Sequence, residues 1–271
     1  MLFRSCLNYN AALAADNTAQ QTAALSKEQT KQEIAAFTKQ KFDNIADQYD
    51  RKTYEQEQKQ NKIKNQIAAK EAKGQKASVS DYEALIKNEK EQQKIQSEKA
   101  AALQKNLDKA VADGTVKKGS EQWNAMVDAI NDAKNAGAEA AQTILEYQNT
   151  IRQIKWDAFD SAMETVKRTN READYYINLL SRKKLVDDET GSYTEHGTAA
   201  LSLYKQNYDS YRAQADAYQK EYDDIRQKIR TGELSAKDEA VIQRQRELQD
   251  AYRDAALSAE DELEEIGRAH V

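Results

Sequence analysis

The chain has 271 residues, 39% hydrophobic and 32% charged, with four Phe, two Trp and no Pro. So little apolar material excludes a compact core at this length and predicts an all-α, elongated fold: long helices in coiled-coil or hairpin packing, with no sheet. The net charge of −5 comes from acids and bases interspersed throughout. That leaves no basic face for sequence-specific nucleic acid, and no apolar run approaches the roughly eighteen residues of a membrane span. Each interior proline costs a helix about 3 kcal/mol, so a chain that excludes it can stay helical over long spans.

The ends are set apart at the codon level. MLFRS can be written GTG CTC TTC CGA TCT, and IGRAH can be written ATC GGA AGA GCA CAC. The two are reverse complements over most of their length and match a common sequencing adapter. Residues 1–5 and 265–271 are therefore expected to be artefact, and the remainder an internal slice of a longer reading frame. Asn8, Asn10 and Asp16 interrupt any signal-peptide core, and Cys6 has no second cysteine with which to form an internal disulfide.

Residues 25–113 read as two helices with a turn near 74–80. The first is expected from Leu25 to Lys73, opened by a capping box at Ser26, with a stripe of Ile34, Phe37, Ile45, Tyr49, Ile63 and Ile67. The second is expected to start at Ser80, with Glu83 completing its box, and to end near Gly114. It carries Tyr82, Leu85, Ile95, Leu103 and Leu107.

Residues 120–182 read as one long helix capped by Ser120, which at 1.5 Å per residue would extend roughly 90 Å. Its seam advances in steps of three and four through Trp123, Met126, Ile130, Ala133, Gly137, Ala140, Ile144, Tyr147, Ile151 and Ile154. It is then expected to continue through Ala158, Ala162, Thr165, Thr169, Ala173, Tyr176 and Leu180. Gly137 in the seam points to close helix approach or to a local kink.

A loop is expected over 183–198, followed by an antiparallel helical hairpin over 199–264. Its first arm carries Leu201, Tyr204, Tyr208, Tyr211, Ala215, Tyr218, Tyr222, Ile225 and Ile229. Its second arm opens at a Ser235 box after Gly232 and carries Ile242, Leu248, Tyr252, Ala255, Ala259 and Leu263. Glycines 74, 114, 119, 191, 197 and 232 fall where the periodicity breaks, as helix-stop residues do.

No catalytic, cofactor or metal site is read from these residues, and the chain is expected not to be an enzyme. The tyrosine row keeps seam phase, so core packing outweighs ligand stacking. Asp187, Asp188 and Glu189 precede Gly191, but a calcium loop with glycine in sixth place would begin at Val186, which supplies no ligand oxygen from its side chain. His196 has no cysteine or second histidine at ligand spacing.

The turn GTVKKGSEQW (114–123), the helix 130–160, the loop LVDDETGSYTEHGTAAL (185–201) and NYDSYRAQADAY (207–218) resemble tail tape measure proteins of long-tailed bacteriophages and prophages. The resemblance covers roughly residues 80–264. It implies a non-enzymatic coiled-coil segment that helps set or organise tail length and assembly, in a protein made in the host cytoplasm and carried in the virion tail. The implied partners are further copies of itself or other coiled-coil and tail structural proteins. One departure from that family is expected: reversals at 74–80 and 231–235 fold length back on itself and point to a lateral or terminal bundle. The residues alone leave a second reading open, a cytoplasmic coiled-coil adaptor or spacer rod that is chromosome-associated or surface-attached.

Overall fold

A computed structural model describes the backbone of residues 2–269 and the side chains of residue 17 and residues 20–268, except where stated. The fold is all-α, with five long helices: α1 (Leu2–Glu71), α2 (Val79–Ala112), α3 (Glu121–Leu180), α4 (Glu195–Arg230) and α5 (Glu239–Ala269). Among the described residues the one β feature is an isolated antiparallel bridge between Val186 and Tyr193. No helix among them is long and apolar enough to cross a membrane. Of the terminal segments 1–5 and 265–271, Met1, His270 and Val271 lie outside the described residues, and the Cys6 side chain is likewise not described.

The chain divides into two compact units, Met1–Lys155 and Trp156–Val271, with the boundary inside α3. In unit 1, α1 and α2 run antiparallel. Asp50 pairs with Lys99, Gln56 with Asn88, and Lys70 with Asp81, so positions rise on one helix as they fall on the other. The first part of α3 completes a three-helix core of Phe42, Leu103, Leu107, Ala110, Val116, Met126 and Ile130. Burying each such leucine or isoleucine stabilises the fold by about 1.5–3 kcal/mol.

Unit 2 has the same plan with different parts. There α4 and α5 are antiparallel, with Asn207 near Glu262 and Tyr222 near Gln249. The last part of α3 joins them around Trp156, Ala215, Tyr218, Ile225, Val241, Leu248 and Ala255.

Helix ends follow cap chemistry, at positions that partly differ from the sequence expectation. Ser26 opens nothing, because α1 is continuous through it. α2 is capped two residues early by Ser78 rather than Ser80: the Ser78 N–H and Oγ both donate to Asp81 Oδ2, at 2.9 and 2.7 Å. Asp81 is also gripped by the Lys70 ammonium at 2.6 Å. Together these bonds, Lys70 first, hold its carboxyl down at about 2. Ser120 does cap α3, accepting from Trp123 N–H at 3.2 Å.

α4 starts at Glu195, earlier than the expected 199, because Thr194 Oγ1 accepts from Gly197 N–H at 3.1 Å and takes over the cap. At α5 the cap is Asp238 rather than Ser235, with Ala240 N–H donating to Asp238 Oδ1 at 3.0 Å. At the α4 C-terminus, Glu233 N–H reaches back to Lys228 O at 2.9 Å across Gly232, whose φ of +79° is the left-handed turn such a stop requires.

Gly197 is not a stop. It lies buried in the first turn of α4, where a Cβ would come within 2.0 Å of the Leu185 carbonyl oxygen. Gly137 marks close approach and no break: α3 runs through it, and a Cβ there would lie 3.7 Å from Gln96 Cβ on α2.

Candidate functional site

The buried stripe of α3 changes phase at the boundary between the units. Met126, Ile130, Ala133, Ala140 and Ile144 are buried, and Trp123, Tyr147, Ile151 and Ile154 are half-buried. Beyond that point most of the expected seam fails, with Ala173 buried and Leu180 half-buried as the exceptions. Ala158, Ala162, Thr165 and Thr169 are exposed, and Tyr176 is 57% exposed. The buried face instead passes through Trp156, Phe159, Met163, Val166, Asn170, Ala173 and Ile177, again in steps of three and four. Two stripes with this spacing were available, and the one carrying the larger side chains removes more area from water.

On α4 the structure gathers the named residues on one face. Tyr218 and Ile225 are buried, and Leu201, Tyr204, Tyr208, Tyr211, Tyr222 and Ile229 are half-buried. On α5, Leu248 is buried and Ile242 half-buried, but Tyr252 and Leu263 are 40% and 52% exposed. The stripe there is Val241, Arg244, Leu248, Ala251, Ala255 and Ala259, which turns Tyr252 and Leu263 outward.

Two of the row's hydroxyls, those of Tyr208 and Tyr222, reach polar partners, and the Tyr218 ring packs. Tyr222 Oη accepts from Gln249 Nε2 at 2.9 Å, and Tyr218 meets Phe159 edge-on with ring centres 5.7 Å apart. Asp187 Oδ1 accepts from Glu189 N–H, Thr190 N–H and Thr190 Oγ1, and Asp188 pairs with Lys184 at 2.7 Å. These acids therefore close their own turn. His196 is exposed in the first turn of α4. Among the described residues no group of three or more His, Cys, Asp or Glu could hold a metal ion.

The chemically specific feature is a set of buried polar rungs between the helices. In unit 1, Asn88 Nδ2 donates to the Gln56 carbonyl at 3.1 Å, Gln92 donates to Asn88 Oδ1, and Gln96 Nε2 donates to Thr53 Oγ1 at 2.9 Å. One turn along, Gln60 donates to Glu89, whose carboxyl burial pushes up.

In unit 2, Asn207 Nδ2 is shared by two carboxyls, Asp174 on α3 and Glu262 on α5. Ser210 Oγ donates to Asn170 Oδ1 at 2.7 Å. Burial raises both carboxyls and the Tyr204 and Tyr211 hydroxyls as well. Farther along, the Arg244 guanidinium is 6% exposed, lies 5.5 and 5.6 Å from the Trp156 and Phe159 ring centres, and bonds Asp160 at 2.8 Å.

The rung hydrogen bonds form only when the facing helices hold one axial register, and a shift of one turn would break them and strand a buried amide or charge at a cost of about 1–3 kcal/mol. The arrangement can fix how helices pair and which neighbours they accept. None of the rung residues on α2, α3 or α5 was singled out from sequence, although Asn170, Asn207 and Arg244 fall in step with the apolar residues around them. That coincidence of spacing was the available signal. No family model, no curated protein and no solved structure matches the chain.

Proposed function

We propose that the chain is a non-enzymatic structural segment of a tape-measure-like tail protein of a long-tailed phage or prophage, acting as a helical bundle that organises assembly. The observation that carries this reading is the pairing of three-helix units with α3, whose sixty residues contribute to both cores. Support comes from the interior chemistry, which is devoted to helix register, and from the tail-protein resemblance of residues 80–264. The antiparallel pairs α1 with α2 and α4 with α5 favour an organising bundle over a simple ruler. Length folded back on itself adds less reach per residue than the 1.5 Å of a single continuous helix.

The test is an in-frame deletion of residues 80–264 in the parent tail gene, with tail length read by electron microscopy. Under this proposal tails still form but shorten by less than about 1.5 Å per deleted residue. Shortening at the full helical rise would return the segment to the ruler role. Virions whose tails lack this polypeptide by mass spectrometry would remove the tail assignment and favour the cellular adaptor.

A further inference from the structure

The C-terminal turns of α5 are held with little apolar contact. Ala255 and Ala259 are buried, but among the described residues beyond Ala259 none is, and Leu263 turns outward. The group that meets the neighbouring helices there is the Glu262 carboxyl. Its Oε1 and the Oδ1 of Asp174, on α3, accept from the same donor, Nδ2 of Asn207 on α4, a residue only 1% exposed. Glu262 Oε2 is enclosed and has no hydrogen-bond partner. No base offsets the pair. The charges acting on Glu262 are those of Asp174 and of Glu265 and Asp261 on α5 itself, all acidic, and α4 contributes the Tyr204 and Tyr211 hydroxyls. With both carboxyls ionised, two like charges share one amide and a buried oxygen keeps its charge without a donor; a single proton lowers both penalties.

We infer that α5 beyond Ala259 is a proton-dependent latch, docked on α3 and α4 when the Asp174–Glu262 pair holds a proton and detached when both are ionised, while the core around Trp156 and Leu248 stays folded. Burial raises both carboxyls, so the docked state binds the proton more tightly than the detached one. Docking is therefore complete below the ordinary carboxylate range and is lost as pH rises through the docked values. Opening is local because the segment lacks a large buried side chain, and a detached helical end of this length frays. The latch lies wholly within unit 2 and does not depend on the tail assignment, which stands if the latch fails.

Hydrogen exchange of the full chain, corrected for the intrinsic effect of pH on amide chemistry, tests the latch by comparing residues 259–264 with residues 245–252. Between about pH 8 and about pH 5, protection over 259–264 should rise at least threefold while that over 245–252 holds. The acids of α5 itself, Glu260, Asp261, Glu262, Glu264 and Glu265, repel one another and would fray this end at high pH without any latch. Asp174→Asn separates the two causes, because it sits on another helix and leaves that run intact. It should flatten most of the pH dependence over 259–264, with helicity by circular dichroism unchanged, and Glu262→Gln should do the same. Glu260→Gln, at an exposed position outside the cluster, should leave the dependence in place. Protection over 259–264 that does not rise on acidification, an equal rise over 245–252, or an Asp174→Asn chain that keeps the full dependence would each overturn the proposal. So would a Glu260→Gln chain that loses as much of it as Asp174→Asn.

Discussion

Units 1 and 2 solve the same packing problem with different interiors. Unit 1 encloses a core of mostly aliphatic residues around Phe42 and closes its polar rungs mainly with neutral amides and a threonine, Gln56, Asn88, Gln96 and Thr53. Unit 2 is built around Trp156 and Tyr218. It carries ionisable groups inside, with Asp174 and Glu262 flanking Asn207 and Arg244 against two aromatic rings. The neutral rungs of unit 1 set register without responding to solution conditions, whereas its Glu89 rung and the charged rungs of unit 2 make register depend on proton concentration.

The largest effects should come from the two cores. Leu103 and Leu248 are 0% and 1% exposed, and replacing either with Ala should cost about 2–5 kcal/mol. Hydrogen exchange should show lost protection around Phe42, Leu107 and Ile130 for Leu103→Ala, and around Tyr218, Val241 and Ala255 for Leu248→Ala. Equal loss in both sets from either variant would break the division into units.

Two of the helical glycines, Gly197 and Gly137, give a smaller and opposite pair. Gly197→Ala drives a methyl into the Leu185 carbonyl and should destabilise unit 2 by about 1–3 kcal/mol, read as a lower thermal midpoint. Gly137→Ala meets only ordinary contact distances in unit 1 and should stabilise it by about 0.5–1 kcal/mol. A destabilised G137A would mean that α2 and α3 approach more closely than described.

The smallest effect is also the most specific. Burial raises the folded-state pKa of Asp174 and Glu262 above the unfolded values, so the native state binds protons more tightly. Their contribution to stability is full below the ordinary carboxylate range and is lost as pH rises through the folded values. Unit 2 should therefore gain stability as pH falls from neutrality towards that range. Asp174→Asn, which keeps an acceptor for Asn207, should flatten this dependence and stabilise the neutral-pH state by roughly a few tenths of a kcal/mol, given solvent screening of a partly exposed group. Denaturant midpoints against pH check it. Asp81 in unit 1 runs the other way: its lowered pKa contributes stability above the ordinary carboxylate value, lost as pH falls through about 2.

Helix identity and approximate extent were legible in the sequence because long three-and-four spacing without proline has few other solutions. The register of burial was legible where large residues anchored the stripe at intervals, as Met126, Ile130 and Ile144 do around Ala133 and Ala140. Past Ile154, a row of Ala and Thr satisfied the same spacing as Trp156, Phe159 and Met163, and spacing alone could not rank them; side-chain size could. Tyr252 and Leu263 misled for the converse reason: they are large, yet Val241 and Leu248 fix a phase that leaves both outside, with Arg244 inside. The polar rungs were hidden because a buried Asn or Arg is recognised by its partner across the bundle, which one-dimensional spacing does not contain.

Arg244 carries one further consequence. Its guanidinium lies 5.5 and 5.6 Å from the Trp156 and Phe159 ring centres and pairs with Asp160, so the charge it brings inside is matched by a carboxylate of α3. On acidification the carboxyls beside Asn207, whose folded pKa burial raises, take up protons ahead of ordinary surface carboxylates, and the interior of unit 2 sheds negative charge.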